Sequence, residues 1–366
     1  MPGYRAFAVK RLLAISPRFL PFSDVASETL PLSRLLRLSL FQVTVGMAVV
    51  LLVGTLNRVM IVELAVPASL VGFMIALPLV FAPFRALIGY RSDTHRSALG
   101  WRRVPYIWKG TMLQFGGFAV MPFALLVLSG YAEAATVSPW VGYISAAVAF
   151  LLVGAGMHMV QTVGLALATD LVNPDDQPKV VGLMYVMLLL GMIVSAFVFG
   201  WLLEDYTPGR LIRVVQGAAV VTIVLNVIAL WKQEARDRQR ALRTGPEPDF
   251  GGAWKDFVAG EGAMRRLVVI GLGTTGFGMA DVLLEPYGGQ VLNMTVAETT
   301  RLTAVLGAGG LAGFAIASRV LLRGAEPLRV AWTGALLGIP AFGAIIAAAG
   351  PGSVALVAAG TFLIGL

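Results

Sequence analysis

Apolar runs long enough to cross a bilayer alternate along this chain with joints too short to fold alone. In lipid every backbone N–H and C=O must find a partner inside its own segment, so such runs become helices. The runs extend approximately over Leu38 to Glu63, Ala68 to Tyr90, Val104 to Ser129, Trp140 to Thr169, Val180 to Leu203, Leu211 to Trp231, Leu267 to Leu292, Thr300 to Leu322, Val330 to Ala348 and Val354 to Leu366. An all-α polytopic membrane protein of about ten spans is expected. Only 13% of the 366 residues are charged and 57% are hydrophobic, whereas a soluble domain carries about 25% charge. The last run is still apolar at Leu366, so the natural protein is expected to continue and the carboxyl-terminal part to be incomplete.

One stretch competes with this reading. "RRLVVIGLGTTGFGMADVLLEP" places Gly271, Gly273 and Gly276 in a G-x-G-x-x-G pattern, the turn that seats a dinucleotide on a helix amino terminus. That turn needs a strand before it and a returning strand after it, and here the run stays apolar to Leu292. A membrane helix is the better reading, with the glycines as close-packing or hinge positions. No Walker loop, zinc spacing or nucleophile triad is present, and the chain has no cysteine, so an enzyme is not expected.

The formal charge of +8 could point to nucleic acid. In a polytopic protein it instead marks the cytoplasmic joints, and no nucleic-acid partner is expected. Basic residues cluster before Leu38, in Gly89 to Arg103, in Lys232 to Arg266 and in Arg319 to Arg329, while joints such as "YAEAATVSP" have none. "EDYTPGRLIR" is the exception. The amino terminus should be cytoplasmic; Arg5, Lys10 and Arg11 among apolar residues suit an interfacial helix within residues 1–37, or a solvated tail.

The joint at residues 232–264 divides a six-span portion, residues 38–231, from the remainder, 265–366. Such a division belongs to transporters built of two related halves. "VELAVPASL" after the first span and "LNMTVAETT" after the seventh occupy matching places. The joint "GYRSDTHRSALGWRR" resembles the major facilitator signature: Gly89 would permit close helix approach, Asp93 would pair with basic groups and cap a helix end, and Arg96, Gly100, Arg102 and Arg103 complete the loop. It is longer than that signature between Asp93 and Gly100. The expected fold is therefore a major facilitator fold of two six-helix halves, truncated at its carboxyl end.

Charges inside spans need partners or a wet cavity. Arg58 in the first span and Asp281 and Glu285 in the seventh are expected to form a network, with Arg58 paired to at least one acid across the halves. It would serve either as a structural pair or as a coupling or ligand site. In the fourth span His158, Gln161, Thr162 and Thr169 share a face; His158 is a candidate ligand to a chlorin magnesium or a proton carrier, or simply a histidine bonded to a neighbouring helix. Gln114 and Asn226 are further buried polar candidates. Gly191 with Ser195, Ala196 with Gly200, and Gly309 with Gly313 have the small-x-x-x-small spacing of close helix packing.

Three stretches, "LPLSRLLRLSLFQVTVGMAVVLLVGTLNRVMIVEL", "ALPLVFAPFRALIGYRSDTHRSALGWRRVPYIWKGTMLQFGG" and "YVMLLLGMIVSAFVFGWLL", resemble the bacteriochlorophyll delivery family, the PucC and LhaA proteins of purple phototrophic bacteria, a branch of the major facilitator superfamily. The resemblance covers essentially the whole chain. It implies an assembly factor for light-harvesting antenna complexes in the intracytoplasmic photosynthetic membrane, with bacteriochlorophyll as cargo and antenna polypeptides and the reaction-centre complex as partners. It also implies twelve helices, about two more than are present. A chlorin with a long apolar tail calls for a greasy groove and one axial ligand. The alternative is an ion-coupled secondary transporter using Arg58, Asp281 and Glu285.

Overall fold

The computed structural model describes residues 30–235, apart from 82, 96, 98, 99, 131–133 and 135, and residues 250–366. The expected interfacial segment before residue 30 lies outside the described residues, as does Arg96. The first half comprises α1 (Leu32–Glu63), α2 (Ala68–Val80), α3 (Phe84–Thr94), α4 (Val104–Leu128), α5 (Pro139–Asp170), α6 (Gln177–Leu202) and α7 (Pro208–Leu230). Then follow α8 (Phe250–Ala259), α9 (Ala263–Val291), α10 (Val296–Leu322), α11 (Pro327–Ala348) and α12 (Val354–Gly365). Among the described residues nine helices are long and apolar enough to span a membrane, α2 and α3 counting as one; α12 is the shorter tenth apolar helix. The G-x-G-x-x-G stretch lies inside the continuous helix α9, as the membrane reading expects.

Small residues set the helix spacings in the first half. A Cβ on Gly156 of α5 would sit 2.6 Å from the Gln114 nitrogen of α4, and one on Gly117 would sit 2.8 Å from the Ala149 carbonyl. Gly191 lies against Val43 of α1, where a Cβ would meet its Cα at 2.6 Å. Gly200 lies against Ala297 and Arg301 of α10, and Gly309 and Gly313 against the end of α12. Close approach replaces a hydrophobic driving force, which lipid does not supply. Asn226 ties three helices together: its amide donates to Thr111 at 2.9 Å, and its carbonyl accepts from Thr44 at 3.1 Å.

Two joints repeat the same backbone device. A shift of 228 positions carries Met60, Ala65 and Val66 onto Gly288, Asn293 and Met294. The Val66 amide bonds the Met60 carbonyl at 2.8 Å, and the Met294 amide bonds the Gly288 carbonyl at 3.0 Å. Ala65 and Asn293 both have positive φ, 51° and 52°. Helices end at Glu63 and Val291 and restart at Ala68 and Val296. The repeat suspected between the two sequences is thus present, two residues out of the register that the letters suggested. Equivalent helices α1 and α9 meet reciprocally. Asn57 of α1 donates to the Val282 carbonyl at 2.6 Å, while Glu285, its counterpart, lies against Gly54, the counterpart of Val282. Reciprocal contact of this kind is what a pseudo-two-fold axis produces.

The halves close on each other at the end where α1, α6 and α9 finish, here called the junction end. Thr55 and Thr300 hydroxyls meet at 3.1 Å, and Arg301 pairs with Glu204 at 3.1 Å. Leu189 and Ile193 of α6 pack on Gly310 and Gly307 of α10. Toward the opposite end, which carries the residue 94–103 loop, α9 stands apart. Side chains added at Gly271, Gly273 and Gly276 would meet nothing within 4 Å. These glycines are not close-packing positions; in α9 that role falls to Gly288 and Gly289, beside Thr299 and Arg58. On α8, Phe250, Trp254 and Phe257 stack along one face, with centroids 6.4 and 5.8 Å apart, as in a helix lying along a membrane surface.

Two substitutions separate packed from open glycines. Gly156→Leu should destabilise by about 1–3 kcal/mol through overpacking of α4 on α5, lowering the thermal unfolding midpoint in detergent. Gly271→Ala should leave that midpoint unchanged or raise it slightly, because Ala favours helix and nothing obstructs its methyl.

Candidate functional site

Three polar clusters interrupt the apolar bundle. The first sits at the junction end. After Val49 the hydrogen bonding of α1 widens to an i→i+5 pattern over Val50–Leu56 and Val59–Glu63. Wider winding brings residues five apart onto one face. Glu63 is thereby placed on Arg58, and the two form an ion pair. Arg58 is 3% exposed and Glu63 34%. Arg58 Nη2 also donates to the Met294 carbonyl at 2.9 Å, which fixes the joint of the second half to the first helix.

The expected pairing of Arg58 with Asp281 or Glu285 is therefore corrected: its acid is Glu63, in its own helix. A regular α-helix would not place Glu63 there, and the sequence carries no visible mark of the wider turns. Glu285 is 1% exposed and accepts from the Thr303 hydroxyl at 2.5 Å, while its Oε2 has no hydrogen-bond partner. Asp281 shares a helix with Glu285 but is only partly buried, and among the described residues no hydrogen bond or ion pair reaches it.

The second cluster lies at the loop end. Asp93 pairs with Arg103, whose Nη1 donates to Ser92 at 2.7 Å and whose Nε donates to Asp170 at 3.0 Å. Arg102 also pairs with Asp170. The Arg102, Arg103 and Val104 amides all donate to the Glu234 carboxylate, at 2.7, 3.0 and 2.9 Å. Asp93 thus finds its basic partner as expected, but the helix cap comes from Glu234. An acid fits there because the first amides of α4 have no acceptor within the helix. Gln233 and Arg34 exchange hydrogen bonds beside it. Gly100 has φ +79° in the turn that Ser97 closes by accepting the Trp101 amide at 2.8 Å. Gly89 is not needed for close approach, since a Cβ there would lie at an ordinary 3.7 Å from Thr162.

The third cluster lies between these levels. Arg85 of α3 donates from Nε to the Thr162 hydroxyl at 2.9 Å and from Nη2 to the Gln161 carbonyl at 3.1 Å. His158, one turn along α5, neighbours the guanidinium electrostatically, and its Nδ1 is buried without a partner. Tyr185 of α6 also acts electrostatically on Arg85. Tyr185 lies one turn before Leu189 on the face of α6 that meets α10, and is 41% exposed, so this cluster looks into the space between the halves. Thr169 does not join it, because its hydroxyl bonds its own helix at Leu165 and Ala166. Gln114 is fully buried on α4 with no partner for its side-chain amide.

The family profile described as PUCC protein matches residues 55–366. A protein named PucC from Rhodovulum sulfidophilum is 69% identical over 341 residues, covering 92% of this chain and 75% of that protein. Another protein named PucC, from Rhodobacter capsulatus, is 63% identical over 369 residues, covering 100% and 80%. This chain belongs to the PucC family.

A more distant relative, named the bacteriochlorophyll synthase 44.5 kDa chain of Rhodobacter capsulatus, is 30% identical over 281 residues, covering 77% of this chain and 63% of that one. Among solved structures, the xylose transporter XylE from E. coli aligns with a TM-score of 0.62 at 13% identity, covering 91% of this chain and 81% of that one. A D-xylose-proton symporter aligns at 0.56 with 17% identity, covering 91% and 79%. At these identities the likeness establishes the fold: this PucC family member has a major facilitator architecture.

Arg85, Glu63, Asp170, Glu234, Tyr185 and Thr303 complete these clusters and were not singled out from the sequence. Arg85 carried a signal, a lone charge a few residues inside the apolar run that ends at Tyr90. Asp170 and Glu234 looked like ordinary helix-end charges.

Three variants test the assignments. Glu63→Gln should strand a buried guanidinium and cost about 1–3 kcal/mol, less than a fully buried pair because Glu63 is partly exposed. Asp281→Asn should change thermal stability by less than about 0.5 kcal/mol. Glu234→Ala should cost about 1–2 kcal/mol through loss of the α4 cap, read as a lower unfolding midpoint.

Proposed function

We propose that this protein is an assembly factor for photosynthetic light-harvesting complexes. It binds bacteriochlorophyll and passes it to antenna polypeptides docked along its membrane-facing surface, beside the reaction-centre complex. Its site of action is the intracytoplasmic photosynthetic membrane, and its amino terminus is cytoplasmic, in keeping with the basic residues of the loop end. The observation that carries this reading is family membership across most of the chain at 63–69% identity to proteins named PucC. The name of the 30% identical relative, which refers to bacteriochlorophyll synthase, agrees with it.

The chain's own residues fit a chlorin cargo. His158 Nδ1 is a buried nitrogen that the protein leaves without a partner, and His158 would supply a ring nitrogen to the pigment's magnesium. Bound there, the pigment supplies light-absorbing chemistry for its client and asks no reaction of this protein. A membrane-facing groove of about 750 Å³ between α6 and α7, walled by Val194, Val198, Val214 and Val221, ends at Glu204 and Arg210. Apolar walls with a charged end suit an amphiphile or a single membrane helix with a polar flank.

A second reading, an ion-coupled transporter, is favoured by the fold and by Glu285, a fully buried acid at the junction with one oxygen unpartnered. Purification in mild detergent from a pigment-producing host separates the two. Co-purifying bacteriochlorophyll absorbance and antenna polypeptides are expected, and His158→Leu should reduce the bound pigment. Colourless protein that retains no antenna polypeptide, yet drives proton-dependent solute uptake in liposomes, would replace the first reading with the second.

A further inference from the structure

Arg85 is a charge the fold has not neutralised. Counting from Asp93 along α3, it lies about 12 Å below the charged loop end. At such depth a cation calls for an anion or a wet cavity. Among the described residues no carboxylate lies within ion-pairing distance of it; its contacts are a neutral hydroxyl and a neutral amide. These use Nε and Nη2. The Nη1 end of the guanidinium carries two further N–H groups, and no hydrogen bond from Nη1 is present among the described residues. A planar guanidinium with one edge held by the protein and its end unclaimed is arranged to receive a single carboxylate.

The surroundings narrow the ligand. Arg85 is fastened from α3 to Gln161 and Thr162 of α5, one turn from His158, and the half-exposed Tyr185 ring stands on the face of α6 that meets α10. A flat apolar body bearing one acid group matches this set better than a hydrated inorganic anion, which would need several donors. Resting on the pigment reading above, we propose that Arg85 is the receptor for the free propionate carboxylate of an un-esterified chlorin, held beside His158. The chlorin would then be taken up as the acid, and would reach the antenna as bacteriochlorophyll only after another protein lets its carboxylate oxygen displace diphosphate from a polyprenyl diphosphate.

The test uses zinc pheophorbide a and its methyl ester, which share a ring and differ in one charge, titrated by fluorescence into the full purified chain in mild detergent. The wild type should bind the acid at least about tenfold more tightly, the equivalent of one charge-assisted contact. Arg85→Gln should abolish that preference and Arg85→Lys should restore part of it. Equal binding of acid and ester by the wild type would overturn the carboxylate assignment while leaving the pigment reading standing; the same holds if Arg85→Gln keeps the preference. Binding of neither probe would remove the pigment reading and this inference together. Displacement of the acid by dioleoyl phosphatidylglycerol, dependent on Arg85, would give the guanidinium to a lipid headgroup and overturn the proposal. The comparison of acid and ester in the wild type needs no variant to fold.

Discussion

A guanidinium taken out of water calls for an opposite charge and for acceptors, and at the junction of the two halves Arg58 finds one of each, while its Nε stays without an acceptor. Glu63 supplies the charge, and the Met294 carbonyl supplies an acceptor from the other half. Desolvating such a cation costs several kcal/mol unless pairing and hydrogen bonding offset it. That requirement links local winding to global assembly. The wide turns at the end of α1 bring Glu63 within reach, and the joint before α10 has to sit where its carbonyl faces Arg58. Thr55, Asn57 and Thr300 add further polar contacts between the halves.

At the opposite end the first half is bound within itself. Arg103 links the end of α3 to the end of α5 through Asp93 and Asp170, and Glu234 joins the exit of α7 to the entrance of α4. The Arg85 cluster lies between these two sets of contacts, on α3 and α5. An alternating-access fold seals one end while the other admits a ligand. It serves equally a protein that loads a pigment and one that moves a solute, so the chemistry of the cluster rather than the fold distinguishes them.

The helices and their order were legible because lipid allows few alternatives. Run length placed the nine long spans found among the described residues, and the basic joints marked one end. Small residues at four-residue spacing correctly foretold the contacts of Gly191, Gly200 and Gly309. Partner choice was not legible. Arg58 was assigned to acids on α9 because helical periodicity puts Glu63 off its face; only the wider winding brings it back. Gly271, Gly273 and Gly276 looked like a packing stripe, yet they face open space, because spacing reports a possible contact and not the presence of a neighbour. Glu234 and Arg85 escaped notice because their partners are backbone amides and neutral side chains brought in from distant helices.

The reciprocal contact of α1 and α9 also carries an asymmetry. Asn57 and Glu285 occupy equivalent places, yet one is an amide and the other an acid. The amide nitrogen donates to carbonyls in both helices, Val53 at 3.0 Å and Val282 at 2.6 Å, and so fastens α1 to α9 whatever the proton concentration. The acid has no such donor; it takes one hydroxyl from α10 and rests against a glycine. Equivalent places in the two halves thereby hold unlike contacts, a doubly bonded amide in one and, in the other, an acid whose hydrogen bond stays within its own half. The pseudo-symmetry of the backbone thus stops at the side chains: α1 is bonded to α9 through Asn57, whereas α9 rests on α1 at Glu285 by packing.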